Sequence, residues 1–423
     1  MDAFRRLIMP LDFSTHLAAY SELIVRTGLN LQAGQRLIVA EPYEDHGVPR
    51  SAEPLVAAIR AAALKVAGTA PGMIEIIWSN PKRLREFASK GNWRGLSQLV
   101  AANAHKINDH ISRRDAVLFL LGSQSTLMTG IAPAHAAETR RIGNEYFGPV
   151  VQELMRAATN WTAVPSPTQE WADAVYPDFP AAERLPALWE AVFDTMRIPD
   201  RGPTTSGNTM EEEMFSEWDL HLRKLRTRTD ELNANRFTSL SYIGIGTHLT
   251  LSLPSEHRWC TAAMQTRSGI SFLANLPTEE VFTLPHKDSA DGIARVARPV
   301  VFGGTVIDGI ELEFRDGIVV SAGARKNESL LFQLLDTDHG APRLGEVAIV
   351  IDSRSPDPLA RPTPFARHKN RFFHHVLLDE NACNHVALGA GYGFCLTAPN
   401  PAALNHSLIH LDLPIAAEAH LRP

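Results

Sequence analysis

Ala116-Val117-Leu118-Phe119-Leu120-Leu121-Gly122 is an unbroken apolar run of strand length closed by a glycine. A run that is apolar at every position has no face for water, so it reads as a strand buried on both sides, the habit of parallel sheets. Working outward, Arg36-Leu37-Ile38-Val39-Ala40 after Gly34, Met73 to Trp78, and Asn160-Trp161-Thr162-Ala163-Val164 read as further strands. Helix-like segments separate them. Ala52 to Ala67 is rich in Ala and Leu and stops at Gly68, Pro133 opens a segment reaching to about Ala158, and Ala181 to Met196 sets Leu185, Leu188, Trp189, Val192 and Phe193 on one face. Strands alternating with helices predict an α/β N-terminal domain with a mainly parallel sheet, covered on both faces, over residues 1–205.

The character then changes. Asp200 to Thr209 has linker composition, and Glu211 to about Asn235 is a charged, helix-favouring stretch that reads as a solvated connecting helix, so residues 206–235 form the junction. Beyond it, Thr247 to Leu253 and Gly309 to Phe314 alternate with period two, and Arg315-Asp316-Gly317 turns the chain into Ile318-Val319-Val320. Ser329 to Leu335 reads as a short helix and Glu346 to Ile351 as an apolar strand. Residues 236–423 are therefore expected to form a β-rich α+β domain.

Composition narrows the function classes. A chain of 423 residues exceeds one ordinary core. A net charge of −6 without a long run of one sign argues against nucleic acid as the main partner. No stretch approaches the roughly 20 apolar residues of a membrane span, and no signal-peptide run follows the N-terminus. The three cysteines, Cys260, Cys383 and Cys395, have no CxxC spacing and suggest a reducing compartment, with the cytoplasm as the expected location. Nucleotide-binding glycine motifs are missing: no GxGxxG follows an early strand and no GxxxxGK[ST] occurs, while Gly244-Ile245-Gly246 reads as a turn. The G-x-S-x-G elbow of serine hydrolases is absent as well.

Metal-capable groups concentrate in the C-terminal half. Glu279-Glu280 follows an apolar approach, Glu346 stands at the mouth of a buried strand, and His385 follows Asp379-Glu380-Asn381. Read as a helix, that last segment would put His385 and Tyr392 on one face. His410-Leu411-Asp412 lies in an alternating apolar segment, so on a strand its His and Asp share a face and can grip one ion. Each element alone also has a plain reading: a solvated carboxylate pair, a satisfied core histidine, a packed tyrosine. The combination carries the case.

At these residues the sequence resembles the aminopeptidase T-like family of metallopeptidases, the thermophilic leucyl aminopeptidase type. The likeness rests on Asn275-Leu276-Pro277-Thr278-Glu279-Glu280-Val281-Phe282-Thr283, Leu344-Gly345-Glu346-Val347-Ala348, Leu378-Asp379-Glu380-Asn381-Ala382 through His385-Val386-Ala387-Leu388-Gly389, and Asn405-His406-Ser407-Leu408-Ile409-His410-Leu411-Asp412. Met1 to Phe4, Thr27 to Leu37, and Asn160 to Ala191 extend it over nearly the whole chain. The resemblance implies a homodimer that removes N-terminal residues from peptides, or cleaves small amides, with a pair of divalent cations (zinc, cobalt, manganese or magnesium). It implies metal ligands at Glu280, Glu346, His385, His410 and Asp412, and a tyrosine at the site in Tyr392. Glu279 is the candidate for proton handling, its choice against Glu280 resting on the spacing to Glu346.

Two departures stand out. The segment between Glu346 and His385 is longer than is usual in the family and carries Pro356, Pro358, Pro362 and Pro364, then Arg367-His368-Lys369 and His374-His375. The chain also stops soon after Asp412, in what reads as a polar tail. A second enzyme class shares a related scaffold: His385, His410 and Asp412 form a two-His, one-carboxylate set suited to a non-haem iron dioxygenase that opens dihydroxypyridine rings. Glu280 and Glu346 favour the hydrolase, because a dioxygenase needs open positions on its metal.

Overall fold

The computed structural model describes residues 13–42, 45–122, 128, 130–200, 208–351, 364–368 and 371–423. The N-terminal signature at Met1 to Phe4, most of the linker and most of the Pro-rich loop lie outside them. The chain forms two units: Met1–His221 with Ala263–Leu276, and Leu222–Ala262 with Pro277–Pro423.

The first unit is built on a parallel sheet of β1 (Leu37–Ala40), β2 (Ile74–Ile76), β3 (Ala116–Leu121) and β4 (Trp161–Pro165), in the order β2-β1-β3-β4. All six residues of β3 are buried, as an apolar run without a polar face requires. The helix Glu53–Ala67 ends where Gly68 adopts φ +63°, a left-handed conformation that a glycine takes without a Cβ clash. Helices Pro133–Met155 and Ala181–Thr195 lie where the spacing predicts them. Two helices absent from the sequence reading, Pro81–Lys90 and Trp93–Ser112, begin at Asn80 and Asn92, whose side chains accept from the backbone N–H of Arg83 and Gly95. Those asparagines, one of them ahead of a proline, were the available signal. Residues 263–276 return to this unit: Ala163 N donates to Ala274 O at 2.9 Å.

After β1, the chain makes a buried polar turn. The Asp45 carboxylate accepts from Gly47 N, Ser79 Oγ and Asn80 N. His46 stacks on Phe147 at 4.6 Å between ring centroids, and neither of its ring nitrogens has a hydrogen-bond partner among the described residues. Burial lowers its pKa to about 4.

The second unit contains two large antiparallel sheets and the small antiparallel pair Val300–Phe302 and Thr305–Ile307. One has six strands, in the order Ile318–Gly323, Glu311–Arg315, Asp291–Arg295, Thr247–Ser252, Ser239–Gly244, Ala417–Arg422. The other has four, in the order His410–Pro414, His385–Gly389, Leu344–Val350, Glu280–Thr283. Tyr242, Leu249, Leu312, Val347, Val386 and Leu413 belong to one buried core of this unit. An α/β unit with a parallel sheet and a unit rich in antiparallel sheet are the fold class expected from the sequence.

Three local readings need correction. The helix Met210–Asn235 is not merely solvated: Met214, Trp218, Leu225 and Leu232 are buried along it, because apolar residues at intervals of four and seven line one stripe beneath the charges. The segment after Asp412 is not a loose tail, since Ala417–Arg422 pairs along the whole of Ser239–Gly244 and forms an edge of the six-stranded sheet. His385 and Tyr392 do not share a helix: the helix ends at Glu380, and His385 opens a strand. The run Val386-Ala387-Leu388 is buried on both faces, so strand geometry prevails there.

Candidate metal centre

The four strands of the smaller sheet each bring part of one cluster to the same face. Residues two apart on a strand share a face, and directly paired residues on neighbouring strands project together. Val350 pairs with Glu280, Ala348 with both Phe282 and His385, and Ala387 with both Glu346 and Asp412, while Gly389 pairs with His410. Glu280, Glu346, His385, His410 and Asp412 therefore stand on one side. The other side carries Val281, Val347, Val386, Leu388, Leu411 and Leu413, all in the core. The positions between the functional residues are small, Ala348, Ala387 and Gly389, which leaves room for the carboxylates and imidazoles to meet.

Two glycines make the backbone approach possible. A Cβ at Gly345, where the register shifts ahead of Glu346, would lie 2.4 Å from the carbonyl oxygens of Gly389 and Ala390. Gly389 has φ +95°, and a Cβ there would lie 2.1 Å from the Ile409 carbonyl oxygen. Both glycines belong to the sequence signatures.

The side chains form two groups that share Glu346, one of Glu280, Glu346 and His385, the other of Glu346, His410 and Asp412. In the first, Nε2 of His385 is 3.1 Å from Glu280 Oε2 and 3.9 Å from Glu346 Oε1. In the second, Nε2 of His410 is 3.2 Å from Glu346 Oε2 and 3.3 Å from Asp412 Oδ1. Nδ1 of His410 donates to the Ala390 carbonyl at 2.8 Å, so the neutral ring carries its lone pair on Nε2, the nitrogen in the group. The Tyr392 hydroxyl lies 3.2 Å from that same Nε2, and its ring stacks on Phe394.

Glu380 is the residue the sequence reading left out. It ends the helix Val376–Glu380, is buried, and its carboxyl pKa is raised well above the usual range, first by burial and then by the charges of Asp412, Glu280 and Glu346. Its position five residues before His385, within a quoted signature, was a usable signal. Glu279 is also buried, and its backbone N–H donates to Oδ1 of Asn381, but it belongs to neither group. His374 and His375 likewise belong to neither group. His375 precedes the helix, and its N–H, with that of Phe373, donates to the Asp379 carboxylate. The Cys383 thiol is pushed up to about 11 by burial, as suits a packed side chain.

The electrostatics fit cations. Three buried carboxylates, Glu280, Glu346 and Glu380, together with the half-buried Asp412, face two imidazoles. Burial raises the Glu280 pKa to about 7, with the charges of Glu346 and Asp412 adding to it and His385 opposing it. For His410, burial acts downward, but Asp412 and Glu346 outweigh it and raise the pKa well above the ordinary histidine value. Glu280 Oε2 is buried against Nε2 of His385. Buried carboxylates and imidazole nitrogens that converge away from water are the donor set of a divalent-cation site.

An α/β unit and an antiparallel unit that carries such a donor set fit a metal-dependent enzyme. The family described as Thermophilic metalloprotease (M29) matches residues 13–420, and the chain belongs to it. The chain is 32% identical to Aminopeptidase T of Thermus thermophilus, covering 99% of this chain and 94% of that protein. It is 29% identical to Aminopeptidase AmpS of Bacillus subtilis (strain 168), over 96% of this chain and 94% of that protein. The solved structure of wild-type AmpT from Thermus thermophilus matches with a TM-score of 0.83 at 31% identity, covering 97% of this chain and 96% of that one. Among the described residues no helix is long and apolar enough to cross a membrane.

Proposed function

We propose that the cluster holds two divalent cations and is the centre at which this metal-dependent aminopeptidase removes N-terminal residues from peptides. The observation that carries this reading is Glu346, whose two oxygens face two different imidazoles, His385 and His410. Glu280 and His385 complete one position, His410 and Asp412 the other, and Glu380 adds a carboxylate within electrostatic reach of both. When bound, such ions act as Lewis acids and lower the pKa of water.

The chain's own residues then have distinct tasks. His410 keeps its Nε2 lone pair directed inward through the Ala390 carbonyl. Tyr392 holds a phenolic proton beside that nitrogen, its pKa raised by burial and by the carboxylates, so it stays a donor at neutral pH and suits an oxyanion. A carboxylate not engaged by a cation, Glu279 or Glu380, takes the proton of the attacking water and delivers it to the leaving amine. The surplus of carboxylates also suits the positively charged amino terminus of a peptide. The chain is proposed to act as a cytoplasmic homodimer, a reading that rests on the family resemblance and on three free cysteines.

The test is metal analysis of the purified protein, with hydrolysis of leucine p-nitroanilide in added zinc, cobalt or manganese. Two non-iron ions per chain and amide cleavage support the proposal. One iron with oxygen uptake would favour the ring-opening dioxygenase. Folded Glu346→Gln and His385→Ala proteins that keep full metal content and activity would sink it.

A further inference from the structure

We infer that Asn381 is a positioning residue of the metal centre, a neutral clamp that fixes the Glu380 carboxylate and the approach to Glu280 against each other. The inference rests on the two-cation reading and deepens it.

Asn381 is fully buried and follows Glu380 at the end of a short helix. Its Oδ1 accepts the backbone N–H of Glu279 at 2.6 Å, from a segment 102 residues away in sequence. Its Nδ2 donates to the Leu377 carbonyl at 2.8 Å and to Glu380 Oε1 at 3.4 Å. Both amide hydrogens and the oxygen are therefore used. One bond ties off a carbonyl in the last turn of the helix. One holds the Glu380 carboxylate. One fixes the residue that precedes Glu280 as it enters its strand, where Ile351 N donates back to the Glu279 carbonyl at 2.8 Å.

Chemistry restricts what can stand here. The clamp needs an acceptor for Glu279 N–H and donors for a carbonyl and a carboxylate, all without water. Aspartate offers only acceptors when ionised and would add a fifth carboxylate beside Glu280, Glu346, Glu380 and Asp412. Leucine offers neither donor nor acceptor. The primary amide supplies two donors and an acceptor without charge, where a hydroxyl has one donor only. Because Asn381 contacts the backbone beside Glu280 and the side chain of Glu380, its loss frees two carboxylates at once. Groups that orient metal-holding side chains typically contribute about 10–100-fold in metal affinity.

The experiment is cobalt(II) titration of the full chain after chelator treatment, followed by visible absorption, with thermal unfolding of the metal-free proteins as the check on folding. Asn381→Ala is expected to bind cobalt about 10–100-fold more weakly than wild type. Asn381→Asp keeps the volume and the Glu279 acceptor, and carries the test if the alanine variant does not fold. Its affinity should also fall, and the visible bands of the cobalt-saturated variant should shift from those of wild type, because the carboxylates are displaced. A merely structural role leaves the bands unchanged, and that result overturns the inference. So does wild-type affinity in Asn381→Asp. A wild-type protein that takes up no cobalt overturns the metal reading itself, and the clamp with it.

Discussion

Glu346 and His410 meet at 3.2 Å across a strand that belongs to neither of them. The intervening strand, His385–Gly389, passes between with Ala387 in register with both Glu346 and Asp412. The contact exists because Ala387 has only a methyl group. Replacing it by leucine places three more carbons where the carboxylate and imidazole converge. Ala387→Leu should lose most bound metal and most activity, with overpacking costing about 1–3 kcal/mol of stability. Metal analysis and a melting curve on the same sample check both parts.

The Tyr392 hydroxyl meets His410 at 3.2 Å and is kept protonated by burial. Tyr392→Phe should therefore keep its metal content and lower kcat, with KM changed only a few-fold. Loss of one oxyanion donor typically lowers kcat by about 10²–10³. If metal content falls together with kcat, the hydroxyl acts by holding His410 instead.

Glu279 and Glu380 offer a choice that substitution resolves. Burial and the charges of Asp412, Glu280 and Glu346 act on Glu380. Glu279 is held through its backbone on Asn381. Glu380→Gln is expected to lower both metal affinity and kcat. Glu279→Gln is expected to spare metal affinity, and a kcat loss of about 10²–10⁴ in it would identify the proton carrier. Parallel cobalt titrations and steady-state kinetics of the two variants separate these roles.

His46, in the first unit, carries a prediction about stability. Its folded pKa of about 4 lies below the ordinary 6.5, so between these values the unfolded chain binds the extra proton. Stability is fully present above pH 6.5 and is lost as pH falls toward 4, by about 3 kcal/mol at about 1.4 kcal/mol per unit. His46 has φ +58°, which asparagine tolerates, so His46→Asn is the appropriate replacement. Denaturant unfolding at several pH values should show a shallower acid loss in the variant. Parallel curves would remove His46 from the account.

The sequence by itself determined the strands and helices whose pattern has one local meaning. The unbroken run Ala116 to Leu121, of strand length and closed by a glycine, reads as a doubly covered strand, and Gly68 stops a helix through its own conformational freedom. It also supplied Glu280, Glu346, His385, His410 and Asp412 as a candidate set, through signatures in order along the chain. Tertiary structure decided what those patterns leave open. Met210–Asn235 was judged by its charges, and its buried stripe emerges only when something packs on it. Ala417–Arg422 became a strand because Ser239–Gly244 offered a ladder. Glu380 and Asn381 gained a place in the site because a helix end meets a segment 102 residues away. Periodicity reports which face of an element is apolar. It does not report which distant backbone N–H a buried amide will accept, and that pairing fixes the carboxylates of the centre.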